Sequence, residues 1–234
     1  MKDINLKNLI IAHRGIHNNL NIPENSIIAF KGAIDKNIPI EIDVHLTKDN
    51  KLVVFHDNNL FRMTGVNKLI RKCNYNDLQK LRLLNTNQKI PLLEEVLELV
   101  NNKVLIDIEI KNDKRITTTV NKLINLLDNY KGPFIIQSFY LKYLFFIKQK
   151  RRNYTIGILV TNIKYFCYKL IDSKFVLEIV KPDFIAYNKN LVMCSKVKKI
   201  RNRGIPIFAW TIKNKNEKET TFKYADSLIS EYFE

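Results

Sequence analysis

The stretch "IEIDVHL", from Ile40 to Leu46, alternates aliphatic with ionisable residues. Alternate side chains of a β-strand project to the same side, so Glu41 and Asp43 are expected on one face. Similar Ile- and Val-rich runs recur along the chain and are typical of strands buried in a parallel sheet. These runs cover residues 9–13, 40–46, 104–110, 134–139, 155–160, 183–188, 206–211 and 227–232.

Segments with helical spacing separate most of these runs, as in residues 24–36 and 116–130. Eight strands alternating with helices predict an α/β fold, a (β/α)8 TIM barrel. An open doubly wound sheet is the competing architecture, and the count of eight favours the barrel. The run at residues 51–57 breaks the alternation and predicts an extra strand, followed by a small insertion at about residues 58–90. We therefore expect one domain over residues 1–234.

Composition and charge limit the class of protein. Hydrophobic residues make up 46% of the 234 residues and charged residues 26%, which is typical of a globular chain. The net charge of +16 favours contact with phosphates, nucleic acids or anionic lipid headgroups, although dispersed, solvated lysines would give the same total. Three cysteines without a C-x-x-C pair, Cys73, Cys167 and Cys194, argue against a disulfide framework or zinc site and for a cytoplasmic location.

Polar residues collect where the predicted strands end, and in a TIM barrel the carboxyl ends of the strands carry the chemistry. Carboxylates at Glu41, Asp43 and Glu109 would crowd negative charge unless a hard divalent cation with oxygen ligands relieved it. Arg14 and Lys111 would add positive charge suited to a phosphate. Taken singly, such residues more often form ordinary salt bridges or hydrogen bonds, so only their convergence on one rim indicates phosphodiester hydrolysis.

The same residues form motifs of a known family. The pattern "HRG" (residues 13–15), "PENS" (23–26), "EIDV" (41–44), "HD" (56–57) and "EIK" (109–111) resembles that of glycerophosphodiester phosphodiesterases. Further matches at residues 53–65, 90–99, 137–139, 210–211 and 225–232 extend the resemblance over nearly the whole chain. The last motif usually carries Asp, and this chain has Glu231 in its place.

The resemblance implies a TIM barrel with a small insertion and a metal-dependent phosphoric diester hydrolase. Glu41, Asp43 and Glu109 would hold one divalent cation, either Mg²⁺ or Ca²⁺. Arg14 and Lys111 would bind the phosphate oxygens.

The resemblance also assigns proton transfer. His13 and His56 would be the catalytic acid and base, in an order that the sequence leaves open. Glu24 and Asn25, on the loop before the first helix, would complete the rim, either at the metal or by orienting a neighbouring group.

The implied reaction is hydrolysis of glycerophosphodiesters to glycerol 3-phosphate and an alcohol during phospholipid breakdown. Phe139 and Trp210 would line the pocket for the alcohol portion. The alternative is phospholipase D-like cleavage of lysophospholipids by an enzyme peripheral to an anionic membrane surface. The expected partner is a small-molecule glycerophosphodiester, with a homo-oligomer allowed. A barrel that binds phosphodiesters without hydrolysing them is another class of function. A nucleic-acid-binding protein is disfavoured, because aromatic residues are not interleaved with basic ones as a base-stacking surface requires.

Overall fold

The computed structural model describes residues 4–161 and 173–233. Its internal contacts divide the chain into two compact units. The N-proximal unit is Arg14–Phe134, and the C-proximal unit combines Met1–His13 with Ile135–Glu234. Cys167, to which no function was assigned, lies outside the described residues. The single domain expected over residues 1–234 stays a prediction.

The described residues contain eight parallel strands, one antiparallel strand and intervening helices. The strands are β1 Ile10–Ala12, β2 Ile40–Leu46, β3 Leu52–Val54, β4 Ile106–Ile110, β5 Phe134–Ser138, β6 Ile156–Val160, β7 Phe184–Asn188, β8 Ile207–Ile212 and β9 Ser227–Ser230. The α-helices are α1 Ile27–Asp35, α2 Phe61–Thr64, α3 Tyr75–Leu78, α4 Leu93–Val100, α5 Ile116–Leu127, α6 Leu141–Lys150, α7 Lys174–Val180, α8 Ser195–Arg201 and α9 Lys215–Thr221. This set confirms the predicted (β/α)8 TIM barrel with one extra strand after the second.

In the N-proximal unit, β2 lies between β4 and β3. It pairs in parallel with β4, placing Asp43 opposite Glu109, and antiparallel with β3. Every residue of β2 and β4 is buried, which explains their Ile- and Val-rich sequences. This register sets two acidic side chains of different strands side by side.

The segment at residues 58–90 has a small apolar core of its own. Leu60, Met63, Ile70 and Leu78 are buried in it, together with Phe55 just beyond β3. The segment holds α2, α3 and two short 3-10 turns at Ile70–Lys72 and Leu83–Asn85. Since β3 is hydrogen-bonded to β2, this core attaches the whole segment to the strand that carries the acidic residues.

In the C-proximal unit, six parallel strands lie in the order β1, β9, β8, β7, β6 and β5. The β1–β9 pairing sets Ala12 opposite Ser230, so the residues that follow these two strands are neighbours. Within the described ranges, none of the helices combines the length and apolar character needed to cross a membrane.

Candidate active site

Three carboxylates meet at the pairing of β2 with β4. Glu41 and Asp43 are each 1% exposed and Glu109 is 7% exposed. One oxygen from each lies within 4.8 Å of the others. Alternation along β2 puts Glu41 and Asp43 on one face, and the strand register adds Glu109. The donor set and spacing suit a hard divalent cation, which prefers oxygen ligands.

Two cations of the same unit lie against this cluster. Lys111 Nζ is 2.8 Å from Asp43 Oδ1 and 2.5 Å from Glu109 Oε1, and Arg14 Nε is 3.3 Å from Asp43 Oδ2. The main-chain N–H of Arg14 donates to Glu41 Oε2 over 3.0 Å. Arg14 therefore contacts the cluster through both its backbone and its guanidinium group.

The backbone of "HRG" is specialised for this contact. Arg14 has φ of +58°, in the left-handed region that non-glycine residues seldom adopt. Gly15 has φ of +80°, and a Cβ on it would lie 2.8 Å from the main-chain carbon of Ala29 in α1. Glycine is thus required for the close approach to α1 that holds the Arg14 turn in place.

The three carboxylates of the cluster differ in their proton affinity. Burial disfavours ionised Asp43, but the charges of Lys111 and Arg14 outweigh it and hold the pKa of Asp43 well below its usual range. Burial, followed by repulsion from Asp43, raises the pKa of Glu41 well above its usual range. Burial also raises the pKa of Glu109 to about 7, against the opposing charge of Lys111. Glu41 and Glu109 therefore bind protons more tightly than free carboxyl groups do, whereas Asp43 binds its proton more weakly.

The "PENS" loop supports the cluster from the start of α1. Ser26 caps the helix, its Oγ accepting from the N–H of Ala29 over 3.3 Å. Asn25 donates from Nδ2 to Asp43 Oδ2 over 2.8 Å, and its Oδ1 accepts from the main-chain N–H of Asp43 over 3.3 Å. Asn25 is thus hydrogen-bonded to both the side chain and the main chain of Asp43.

Glu24 lies between two guanidinium groups. Arg14 Nη1 donates to Glu24 Oε1 over 2.8 Å, and Arg62 Nη2 donates to the same oxygen over 2.6 Å. Burial opposes its ionisation, but the hydrogen bond from Arg62 and the charge of Arg14 lower the pKa of Glu24 to about 2. Glu24 is therefore an ionised, buried group whose oxygens serve the two arginines.

His56 follows β3 and is paired with its neighbour in sequence. Its Nδ1 lies 2.6 Å from Asp57 Oδ1, and Arg62 Nε donates to Asp57 Oδ2 over 2.7 Å. When Nδ1 donates to the carboxylate, Nε2 of the neutral ring is the basic nitrogen. Burial lowers the pKa of His56, partly offset by the charge of Asp43. The ring is therefore suited to accept a proton near neutral pH.

His45 and Arg62 were not among the predicted site residues. His45 is buried on β2, and its Nε2 donates to the main-chain carbonyl of His56 over 3.1 Å. Burial lowers its pKa to about 4. Both residues stand in the stretches that carry the motifs, "EIDVHL" and "HDNNLFRMTG", but their contacts depend on the folded path of the chain.

The C-proximal unit contains the other predicted residues. His13 Nδ1 lies 2.8 Å from Glu231 Oε1, so the residue that departs from the family pattern contacts a predicted catalytic histidine. Phe139 and Trp210 make an edge-to-face contact with ring centroids 5.6 Å apart. Trp210 Nε1 donates to the carbonyl of Ala186 over 3.1 Å, which fixes the indole.

Comparisons with known proteins match this chain to phosphodiesterases. Residues 13–230 match the model of the glycerophosphoryl diester phosphodiesterase family. A glycerophosphodiester phosphodiesterase of Caldanaerobacter subterraneus subsp. tengcongensis is 31% identical over 238 residues, covering 97% of this chain and 95% of that one.

Two solved structures share the fold. A phosphodiesterase of Oleispira antarctica, determined with the product sn-glycerol-3-phosphate, superposes with a TM-score of 0.85 at 23% identity, covering 97% of this chain and 94% of that one. A glycerophosphodiester phosphodiesterase of Thermotoga maritima superposes with a TM-score of 0.79 at 26% identity, covering 97% of this chain and 96% of that one. The chain therefore belongs to the glycerophosphoryl diester phosphodiesterase family and is a phosphoric diester hydrolase.

Proposed function

We propose that this enzyme hydrolyses soluble glycerophosphodiesters to glycerol 3-phosphate and an alcohol, with one divalent cation held by Glu41, Asp43 and Glu109. The observation that carries the proposal is the buried trio of carboxylates with oxygens within 4.8 Å of one another, flanked by Arg14 and Lys111. A bound cation would supply Lewis-acid stabilisation of the charge that grows on the phosphate.

The chain's own cations bind and orient the phosphate in this proposal. Lys111 gives two of its three ammonium hydrogens to Asp43 and Glu109, leaving one for a non-bridging oxygen. Arg14 is held by Glu24 and supplies a fixed positive charge beside the same oxygens. Fixed donors need little reorganisation as negative charge develops on the phosphate.

His13 and His56 transfer the protons. One histidine takes a proton from the nucleophile, either water or the glycerol 2-hydroxyl, which adds to phosphorus. The bond from phosphorus to the departing alcohol oxygen breaks, and the other histidine protonates that oxygen. Attack by the 2-hydroxyl gives a cyclic diester, which water then opens to the same product. A carboxylate at Nδ1 of each ring, from Glu231 and Asp57, favours one tautomer.

Product chemistry supports the substrate class. The structure of the Oleispira antarctica relative carries sn-glycerol-3-phosphate as product. We therefore expect a substrate with glycerol phosphate on one side of the scissile bond. Phe139 and Trp210 would contact the alcohol side. The predicted contact with an anionic membrane surface, the cytoplasmic location and the homo-oligomer stay predictions.

The test is release of glycerol 3-phosphate from glycerophosphocholine, measured with a coupled dehydrogenase assay. We expect turnover with added Mg²⁺ or Ca²⁺, loss of turnover in excess EDTA, and recovery when the cation is returned. Turnover that ignores EDTA would contradict the metal assignment. Turnover of lysophosphatidylcholine vesicles, with none of glycerophosphocholine, would replace the proposed substrate by the lysolipid alternative. Binding without hydrolysis of either would refute the proposed activity.

A further inference from the structure

Arg62, at the start of the short helix α2, contacts two carboxylates at once. Its Nε and Nη2 donate to the two oxygens of Asp57 over 2.7 and 3.2 Å. Its Nη1 and Nη2 donate to the two oxygens of Glu24 over 3.1 and 2.6 Å. Both carboxylates are therefore held in bidentate fashion by one planar guanidinium group.

Each of these carboxylates in turn holds a residue of the proposed catalytic machinery. Asp57 Oδ1 lies 2.6 Å from His56 Nδ1, and Glu24 Oε1 accepts from Arg14 Nη1 over 2.8 Å. Arg62 is thus one side chain away from both a proton-transfer group and a phosphate-binding group. All five residues belong to the N-proximal unit.

We propose that Arg62 is a positioning residue of the reaction, which fixes the imidazole of His56 through Asp57 and the guanidinium of Arg14 through Glu24. The inference rests on the proposed function of His56 and Arg14. Asp57 can rotate about its side-chain bonds, and a bidentate partner removes that freedom. The Asp57 oxygen that faces Nδ1 then stays in place, which holds the His56 ring in one tautomer and orientation.

The geometry separates this role from that of an ordinary surface ion pair. Exposed pairs stabilise a protein little, because solvent screens them and their side chains lose entropy. Glu24 is only 4% exposed and the Arg62 side chain is 44% exposed, so the fork reaches from the surface to a buried carboxylate. Removal of Arg62 would leave the buried Glu24 with one guanidinium partner instead of two.

The position of α2 also explains how the insertion could serve the reaction. Met63, the neighbour of Arg62, is buried in the apolar core of residues 58–90 with Leu60 and Ile70. This packing fixes the start of α2, and with it the origin of the Arg62 side chain. Lysine has the charge but only a single donor nitrogen, so it cannot hold both carboxylates with four directed hydrogen bonds.

The kinetic test compares Arg62→Gln, Arg62→Lys and Asp57→Asn, with Arg71→Gln as the matched control on an exposed arginine of the same insertion. We expect kcat to fall about 10- to 100-fold for Arg62→Gln and for Asp57→Asn, the range seen when an orienting partner is lost. The kcat of the Arg62→Gln/Asp57→Asn double variant should lie less than about threefold below that of either single variant, because both changes break the same chain of contacts. We expect the kcat of Arg62→Lys to be little higher than that of Arg62→Gln, and the kcat of Arg71→Gln to match that of the wild type.

A second measurement does not depend on turnover. Nitrogen-15 NMR of the histidine side chains reports which ring nitrogen of His56 carries the proton, with His56→Gln for assignment. We expect the Nδ1–H tautomer to dominate in the wild type and in Arg71→Gln, and to lose its dominance in Arg62→Gln. An unchanged tautomer in a folded Arg62→Gln variant, or kcat losses of Arg62→Gln and Asp57→Asn that multiply, would overturn the inference. A wild type without hydrolysis would instead refute the proposed function, and the NMR result would still decide the positioning role.

Discussion

Replacement of Glu41 by Gln tests the cation site through stability, independently of turnover. One oxygen from each of Glu41, Asp43 and Glu109 lies within 4.8 Å of the others. For two ionised carboxylates at 4.8 Å, Coulomb's law with an effective dielectric constant of about 20 gives a repulsion of about 3.5 kcal/mol. Lys111 and Arg14 offset part of this repulsion, and a bound cation would offset more. Gln removes one negative charge but keeps an oxygen that can accept from the N–H of Arg14.

The expected magnitude follows from linkage. A cation at about 100 times its Kd stabilises the folded state by about 2.7 kcal/mol. For a chain of 234 residues, this corresponds to a rise in Tm of roughly 5 to 11 °C. We expect this rise at pH 8 in the wild type, and a rise at least halved in Glu41→Gln at the same cation concentration. In EDTA the Tm of Glu41→Gln should equal or exceed that of the wild type, because the repulsion is smaller.

The assay is differential scanning fluorimetry with a series of Mg²⁺ and Ca²⁺ concentrations. Glu98→Gln, a change at an exposed carboxylate on α4, is the matched control and should keep the full rise in Tm. Burial raises the pKa of Glu109 to about 7. Protons should therefore compete with the cation, and the wild-type rise should shrink below pH 7. A full rise in Glu41→Gln, or the same rise at pH 8 and pH 5.5, would refute the placement of the cation on these carboxylates.

Three further predictions concern single side chains. Burial lowers the pKa of His45 to about 4, below the usual value of about 6.5, so the unfolded state binds the proton first as the pH falls. Neutral His45 therefore stabilises the folded state above pH 6.5, and this contribution is lost as the pH falls towards 4. Between pH 7.5 and pH 5, urea unfolding should show that the free energy of unfolding of His45→Asn falls by about 2 kcal/mol less than that of the wild type. Glu231→Gln should lower kcat about 10- to 100-fold with KM nearly unchanged, because His13 loses its charged partner, and equal kcat would contradict this. Trp210→Ala should raise KM about fivefold, as expected for loss of an aromatic contact worth about 1 kcal/mol, and an unchanged KM would remove Trp210 from the pocket.

Local sequence patterns were enough for the fold class and for part of the site. Runs of Ile and Val separated by helical segments predicted the eight parallel strands, because strands buried on both faces require continuous apolar side chains. The alternation in β2 predicted that Glu41 and Asp43 share a face, and both contribute to one carboxylate cluster. The first prediction depends on continuous apolar runs and the second on the two-residue period of a strand, and the sequence contains both patterns directly.

The pairing of distant residues was beyond such patterns. Glu109 lies beside Asp43 because β4 pairs with β2 in one register, and a shift by a single residue would turn Glu109 to the other face. Its position at a strand end and the family motifs both indicated that Glu109 belongs to the site, but neither gave the register that places it opposite Asp43. The partners of Glu24 were open for the same reason, and in the structure Arg14 and Arg62 both donate to its carboxylate.

Local patterns and motifs in the chain were therefore sufficient to predict the class of fold, the strands that carry acidic residues and the membership of a phosphodiesterase family. Which side chains contact one another was visible only in the folded chain: Arg62 contacts Asp57 and Glu24, His45 contacts the carbonyl of His56, and Glu231 contacts His13. Hydrogen bonds and close ion pairs form only when the two groups lie about 3 Å apart. Residues distant in sequence reach that separation only when strand register and loop packing bring them together.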